Sequence, residues 1–529
     1  MFCTNRSSRP RLRRATLAVL VIVVALMASV LSTGVAGASR PAADKADKAA
    51  VLRFGVPFED QGGPFFDPNS SKATANPTPR LWLDLIYGTM IVETADGKGA
   101  PGLATEWSAP DAQTVELTLR DGVKFSDGTD FNADAVVAAW TAFINGDRPN
   151  RSTDGEAFVG VEKIADNKVR MKFNAPVAAN YINTQLKSAN FLGVPSPTAA
   201  AKQDMDTQPV GAGPYKFGSY ATGKVTLERN DGFYDKKANQ LAGIEYIDTP
   251  IGPPAVSALQ AGTVDLIWSF PPDAVATLES APGIEVYSAP SARQFQLALC
   301  PTQGVFADQT ARQAIQYAID REAINEAALS GTGAPNTLVL PPNSPYFDKK
   351  LAKTVKYDPK KAKALLKEAG VAPGTKVTVL VPAQPPYDAI ADVIQSQLED
   401  VGLAPEITKS TSYATDAARL KPDMATVSLD PSLFNLVFQS PSPDGNPLNF
   451  CAWNDPEVVA ALDATADPTK SAAELKAAWT NFQKVALDQS ANVVTNGQGL
   501  LTAFSDKVKG MTIVNAPYGP QLYGVYMTK

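Results

Sequence analysis

The sequence predicts an α/β protein of two or three domains. Segments that alternate apolar and polar residues, as half-buried strands do, recur between segments with the spacing of a buried helix face. At 529 residues the chain is longer than one hydrophobic core ordinarily requires. No segment recurs at a period of about 20 to 50 residues, which disfavours a solenoid or a propeller.

The predicted elements begin with a strand over residues 51–56 and a helix over 80–91. Residues 114–125, TVELTLRDGVKF, alternate as a strand does, and Asn132 is a helix N-cap before a helix over 133–145. The later elements are a hairpin over 160–173, strands over 224–229, 264–268, 289–299 and 377–381, and helices over 253–260, 310–329, 358–370 and 387–401.

The first 38 residues have the features of an export signal. Five arginines precede an apolar run over 15–31, and Ala-Gly-Ala at 36–38 fits the small-residue cleavage rule, so cleavage after Ala38 is expected. An uncleaved membrane anchor is the alternative, because the run has the length of a short spanning helix. No cysteine lies near the cleavage point, so we expect an unlipidated protein in the periplasm or at the extracellular face of the cell envelope. Residues 39–50 predict a disordered leader.

Composition excludes several classes of function. Histidine is absent, which removes Ser-His-Asp and Cys-His catalysis and imidazole-ligated zinc, nickel or haem. Residues 1–38 contain five arginines and no acid, so cleavage leaves 43 basic and 54 acidic residues, a net charge of −11. That charge disfavours nucleic acid and anionic membrane surfaces as partners. The acids after Asp121 do not form a calcium loop, since Val123 and Phe125 occupy ligand positions.

Two cysteines, Cys300 and Cys451, remain after the signal. An even pair in an exported chain suggests one disulfide, and two buried free thiols are the alternative.

Five motifs are distributed along the chain. One is RDGVKFSDGTDFNADAV at 120–136, and the others are PGLATEW at 101–107, VGAGPY at 210–215, LQAGTVD at 259–265 and FADQTARQAIQYAIDR at 306–321. In chain order they resemble the extracellular solute-binding proteins of peptide-type ABC importers, the oligopeptide, dipeptide and nickel group (solute-binding family 5). The segment at 120–136 resembles the family pattern R-x-G-V-x-F-x-D-G-x-x-F-x-A-x-x-V.

The resemblance implies a bilobed periplasmic-binding-protein fold of class II, the large peptide-binding type, with an inserted small domain and a ligand cleft between the lobes. Two strands, at about 289–299 and 493–504, would cross between the lobes. The implied boundaries are lobe I at 51–85, 206–288 and 500–529, the inserted domain at 86–205, and lobe II at 289–499.

The resemblance and the chain positions together indicate candidate ligand contacts. Glu59 and Phe65 follow the first strand, Gln294 and Phe295 lie on one crossing strand, and Gln498 lies beside the other. The family's ligand-facing loop corresponds to 427–454, which holds four further candidates: Asp430, Phe434, Asn446 and Trp453. The amine-binding acid of peptide-binding members would fall near Val427, which is not acidic.

The resemblance implies a non-enzymatic receptor that captures a small peptide or peptide-like solute by hinge closure and delivers it to a membrane permease with its ATPase. We expect a monomer with no cofactor, no metal site and no catalytic residue. Two alternatives stay open: a cell-envelope regulatory or scaffold protein with the same fold, and a secreted hydrolase that uses paired carboxylates.

Overall fold

The computed structural model describes residues 45–59, 63–68, 78–94, 97–146, 157–175, 177–268, 270–438, 447–467, 470–512 and 519–529. The chain divides into two compact units, Met1–Ala46 and Asp47–Lys529, and the helices and strands named below belong to the second. The predicted signal at 1–38 lies outside the described residues.

The predicted disordered leader is too long at its C-terminal end. The Asp47 N–H donates to the Met527 carbonyl at 2.8 Å, and the Ala242 N–H donates to the Ala50 carbonyl at 2.8 Å. These backbone hydrogen bonds fix residues 47–50 against the end of the chain and the central sheet.

The strands are named in chain order. They are β1 (Val51–Val56), β2 (Ile91–Glu93), β3 (Gly99–Pro101), β4 (Ala104–Asp111), β5 (Thr114–Leu119), β6 (Phe158–Ala165), β7 (Lys168–Phe173), β8 (Tyr215–Ala221), β9 (Lys224–Arg229), β10 (Gly243–Asp248), β11 (Leu266–Trp268), β12 (Ile284–Leu299), β13 (Ala334–Pro335), β14 (Thr375–Pro382), β15 (Leu403–Ser410), β16 (Met424–Leu429), β17 (Asn492–Ser505), β18 (Val508–Lys509) and β19 (Tyr526–Met527).

The helices are named in the same way. They are α1 (Arg80–Tyr87), α2 (Ala133–Asn145), α3 (Ala178–Asn183), α4 (Ala189–Leu192), α5 (Pro197–Lys202), α6 (Pro253–Gln260), α7 (Val275–Glu279), α8 (Gln309–Ala318), α9 (Arg321–Leu329), α10 (Pro359–Glu368), α11 (Tyr387–Asp400), α12 (Tyr413–Leu420), α13 (Phe434–Phe438), α14 (Pro456–Asp463) and α15 (Ala472–Gln489).

A sheet of 11 strands organises the unit, in the order β15-β14-β16-β12-β17-β11-β1-β10-β9-β8, with β13 paired to β17 at the side. The lobe I half contains β1 and β8–β11, and the lobe II half contains β14–β16. The long strands β12 and β17 lie between the two halves and pair with each other in antiparallel register. These strands include both predicted crossing segments and extend the first of them back to Ile284.

Each half has its own buried core. The lobe I core packs Phe54 and Tyr246 of the sheet against Trp82 of α1. The lobe II core packs Leu297 and Val379 against helices α8, α9 and α11, and a second apolar cluster around Phe434 and Phe482 covers the other face. Separate cores allow the two halves to keep their shape while the connecting strands bend.

A four-stranded antiparallel sheet, β4-β5-β7-β6, packs on α2 within the region predicted to be an inserted domain. The Asn132 side chain accepts a hydrogen bond from the Ala135 N–H at 3.0 Å, which confirms the predicted N-cap of α2. Trp140 and Phe143 of α2 pack on Phe158, so the motif at 120–136 is scaffold for this small core.

Two predicted helices are wrong in extent. The helix expected over 80–91 ends at Tyr87, because Gly88 adopts a φ of 74°. The helix expected over 310–329 is two helices, since Ile319 is extended and the Asp320 side chain caps α9. The break positions Arg321, whose buried guanidinium donates to the carbonyls of Asn336 and Val494.

Within the part of the chain that the structure describes, the helices lack the combination of length and apolar character that crossing a membrane requires.

Candidate functional site

The candidate site lies where β12 and β17 pass from one half of the sheet to the other. Residues 284–290 of β12 pair with β17, whereas residues 294–298 pair with both β17 and β16. The register between β12 and β17 shifts between Pro290 and Gln294, so residues 291–293 form a bulge. Bulges redirect side chains and disrupt pairing locally, which suits a hinge and a binding surface.

The bulge fixes the backbone of Arg293. The Ser291 Oγ accepts a hydrogen bond from the Arg293 N–H at 3.1 Å. The Arg293 side chain, which is 35% exposed, places its Nε 3.7 Å from Oδ2 of Asp430, whose side chain is 7% exposed. The pair brings a cation from β12 and an anion from the segment after β16 to the same place. Opposite charges at this spacing attract each other without a direct hydrogen bond.

Polar side chains from neighbouring strands surround this pair. The Ser428 Oγ donates to Oε1 of Gln498 at 3.0 Å, and both side chains are half-buried. Burial raises the pKa of the Tyr387 phenol, while the charge of Arg293 and a hydrogen bond with Ser428 oppose that rise. The cluster therefore offers a guanidinium, a carboxylate, an amide and hydroxyl groups, which is a set suited to a polar or zwitterionic solute.

Three predicted contacts are packing residues in the structure. Gln294 is fully buried, and its side-chain amide bonds to Val339 and Asn336. Phe295 is 3% exposed and lies edge-on to Tyr387 at a centroid distance of 5.5 Å. Phe434 is buried in the aromatic cluster of lobe II. Other residues of the chain cover these three side chains, so their role in the structure is to pack beneath the site.

Glu59 and Phe65 lie in the lobe I half. The Glu59 Oε1 accepts hydrogen bonds from the Tyr220 hydroxyl at 2.9 Å and the Gly223 N–H at 2.8 Å, which anchors the β8–β9 hairpin. Phe65 packs on the lobe I core, and its carbonyl accepts from the Trp82 indole N–H at 2.9 Å.

In lobe II, Trp453 is half-buried, and Asn449 binds both its N–H and its carbonyl at 2.9 Å. Asn446 lies outside the described residues. Asp430 and Gln498 are thus the predicted residues whose side chains join the polar cluster, while the contacts of Glu59, Phe65 and Trp453 are with other parts of the chain. The binding roles of the nine stay predictions.

Cys300 and Cys451 are joined by a disulfide, with their Cα atoms 5.6 Å apart. Cys300 directly follows β12, and Cys451 ends the segment that begins at Asp430. The Thr302 hydroxyl donates to the Cys451 carbonyl at 3.1 Å. The bond therefore anchors the segment around Cys451 to the end of β12.

Sequence reasoning missed Arg293, Ser428 and Tyr387. The sequence did contain an indication of Arg293. An arginine interrupts the apolar alternation of the predicted strand directly before the predicted contacts Gln294 and Phe295. Its significance depends on the bulge, which arises from pairing with distant β17. The described residues contain no group of three or more acids or cysteines arranged to hold a metal ion.

A profile of bacterial extracellular solute-binding proteins, "family 5 Middle", matches residues 98–456. The chain belongs to this family. The family 5 assignment confirms the resemblance that the five motifs indicate.

Similar proteins agree with the assignment. The glutathione-binding protein GsiB of Shigella boydii serotype 4 (strain Sb227) is 30% identical over 301 residues, which are 56% of this chain and 58% of GsiB. The match thus spans less than two thirds of that relative.

Solved structures show the same fold. The periplasmic binding protein DppA of Helicobacter pylori, in complex with the peptide STSA, has a TM-score of 0.75 at 22% identity, covering 91% of this chain and 98% of DppA. NikA of Brucella suis, in complex with Fe(III)-EDTA, has a TM-score of 0.77 at 20% identity, covering 90% of this chain and all of NikA. At these identities the likeness shows the fold alone, and it confirms the predicted bilobed α/β periplasmic-binding-protein fold.

Proposed function

We propose that this family 5 protein is the exported receptor of an ABC importer. It captures a small peptide or peptide-like solute between its lobes, closes around the solute, and delivers it to the membrane permease and its ATPase. The protein acts without catalysing a reaction. We further propose the boundaries given by the resemblance, with lobe I at 51–85, 206–288 and 500–529, the inserted domain at 86–205 and lobe II at 289–499.

The observation that carries this proposal is the polar cluster at the crossing strands. Arg293, Asp430, Ser428 and Gln498 meet where β12 and β17 connect two halves with separate cores. A ligand that contacts both halves stabilises their closed arrangement, and a permease that recognises this arrangement receives loaded receptor in preference to empty receptor.

The cargo class rests on the cluster and on the relatives. A cation and an anion 3.7 Å apart match a solute that carries both charges, as a peptide does. GsiB is named for glutathione, and the DppA complex contains a peptide. We therefore place the cargo among short peptides and glutathione-like compounds.

Native mass spectrometry of the exported chain, purified without denaturation, tests this proposal. A co-purified mass that dissociates on activation and fragments as a peptide supports it. A bound sugar, lipid or siderophore contradicts the cargo class. A protein that carries no ligand and shows no thermal shift with free-acid tripeptides or glutathione contradicts peptide capture and favours the scaffold alternative.

A further inference from the structure

Arg293 has unused hydrogen-bond donors, unlike the other arginines in the described part of the chain. A guanidinium offers five N–H donors and no acceptor. Each of the others, from Arg53 to Arg419, donates at least one side-chain hydrogen bond. The Arg293 guanidinium donates none to the described residues, and its buried Nε has no hydrogen-bond partner among them. The Arg293 side chain therefore keeps hydrogen-bond donors that the described residues do not use.

Asp430 does not accept a hydrogen bond from the Arg293 guanidinium. Its Oδ2 is 3.7 Å from Nε, beyond hydrogen-bond length, although the charges attract. The carboxylate therefore orients the guanidinium from one side and leaves the N–H groups available. Because 35% of the Arg293 side chain is exposed, a solute at the crossing can reach it.

The surroundings favour an anionic acceptor. Ser291 fixes the backbone of Arg293 at the bulge by accepting its N–H at 3.1 Å, so the side chain projects from a defined position on β12. The buried Tyr413 hydroxyl is a second group in this part of lobe II without a hydrogen-bond partner among the described residues. A planar guanidinium matches a carboxylate through two parallel N–H···O bonds, which an amide or ester cannot accept equally well.

We propose that Arg293 determines specificity by binding a carboxylate of the solute. This inference rests on the proposed function and adds that the solute carries a free carboxylate at one end. Solutes with a free carboxylate bind, and otherwise identical solutes with that group masked bind weakly. Asp430 keeps the guanidinium oriented before the solute arrives.

Paired ligands test this directly on the full exported chain. Isothermal titration calorimetry compares free-acid tripeptides with their C-terminal amides, and glutathione with its diester. We expect the wild type to bind acids about 10- to 100-fold more tightly than their masked forms. Arg293→Gln should reduce acid binding to the level of the masked ligand, so the ratio of the two affinities approaches one. Arg293→Lys should keep part of the preference, since it retains charge but loses the planar pair of donors.

Arg170→Gln is the matched control, because its side chain is 37% exposed but lies in the four-stranded sheet. That variant should keep the wild-type ratio. A purely structural role for Arg293 would weaken both ligand forms equally and leave the ratio unchanged, which overturns the inference alone. Equal binding of acid and masked forms by the wild type also overturns it while peptide capture stands. A wild type that binds neither form contradicts the proposed function and this inference with it.

Discussion

The Ser428 Oγ donates a hydrogen bond to Oε1 of Gln498 at 3.0 Å, across the strand that separates them. Ser428 lies in β16 and Gln498 in β17, and β12 pairs with both. The two side chains therefore connect three strands at the level where the chain crosses between the lobes. Any closure that bends β12 and β17 acts on this contact.

Gln498→Ala is expected to weaken binding of the co-purified solute about 5- to 10-fold, because it removes an amide from the polar cluster. The free energy of unfolding should fall by only about 1 kcal/mol, since one hydrogen bond is lost. Calorimetry and urea denaturation measure the two effects. Gln313→Ala is the matched control, because Gln313 is also half-buried and donates one amide hydrogen bond, to the Asp488 carbonyl. Equal affinity losses in both variants would count against Gln498 as a contact.

Glu59 is expected to stabilise the hairpin without touching the solute. Glu59→Ala removes the acceptor of two hydrogen bonds and should lower the free energy of unfolding by about 1 to 3 kcal/mol. Glu59→Gln keeps an acceptor oxygen and should retain most of that stability. Both variants should bind the solute within about 2-fold of wild type, by the same calorimetry. A large affinity loss in Glu59→Gln would instead identify the carboxylate as a ligand contact.

The Cys300–Cys451 disulfide should stabilise the fold substantially. It closes a loop with a sequence separation of 151, so opening it restores much conformational freedom to the unfolded chain. Replacing both cysteines with serine should lower the free energy of unfolding by about 2 to 5 kcal/mol. Guanidinium denaturation with and without reductant measures this, and reduced wild type should match the double variant. Identical transitions with and without reductant would refute it.

A buried charge cluster between α1 and β2 predicts a pH dependence. Burial raises the pKa of Glu93, although Lys187 and Arg80 each lie 3.8 Å from one of its oxygens. The folded state therefore holds this proton more tightly than the unfolded state, so the contribution of Glu93 to stability grows as pH falls from neutral towards its ordinary value of 4.5.

Glu93→Gln removes that proton uptake. The free energy of unfolding of wild type relative to this variant should rise as pH falls from 7 towards 4.5, in urea titrations at several pH values. Glu106→Gln is the comparison variant, because it replaces a different carboxylate, in β4, with an amide. A wild-type advantage that shrinks on acidification would contradict the raised pKa.

Local signals predicted the scaffold well. Asn132 defines the start of α2 from neighbouring residues alone, and the structure confirms this cap. The helix predicted from residue 358 begins at Pro359, where the Asp358 side chain accepts a hydrogen bond from the Lys361 N–H. The break at Asp320 was missed because it depends on distant partners of Arg321, including Val494. The helix propensity of residues 310–329 does not depend on those contacts, so it could not indicate the break.

The candidate site was predictable only in outline. The sequence placed Gln294 on one crossing strand and Gln498 beside the other, but alternation alone could not show that Gln294 is enclosed by Val339 and Asn336. Arg293 depends on a bulge created by register with β17, some 200 residues later in the chain. Charge pairing with Asp430 is likewise a tertiary contact, which no local pattern contains.

Small-angle X-ray scattering of the exported chain, before and after saturation with its solute, tests the central claim most directly. Capture by hinge closure predicts a smaller radius of gyration in the loaded protein, with the change lost when the solute is removed. An unchanged radius of gyration at saturating solute, with binding verified on the same sample by calorimetry, would contradict closure of the lobes as the means of capture.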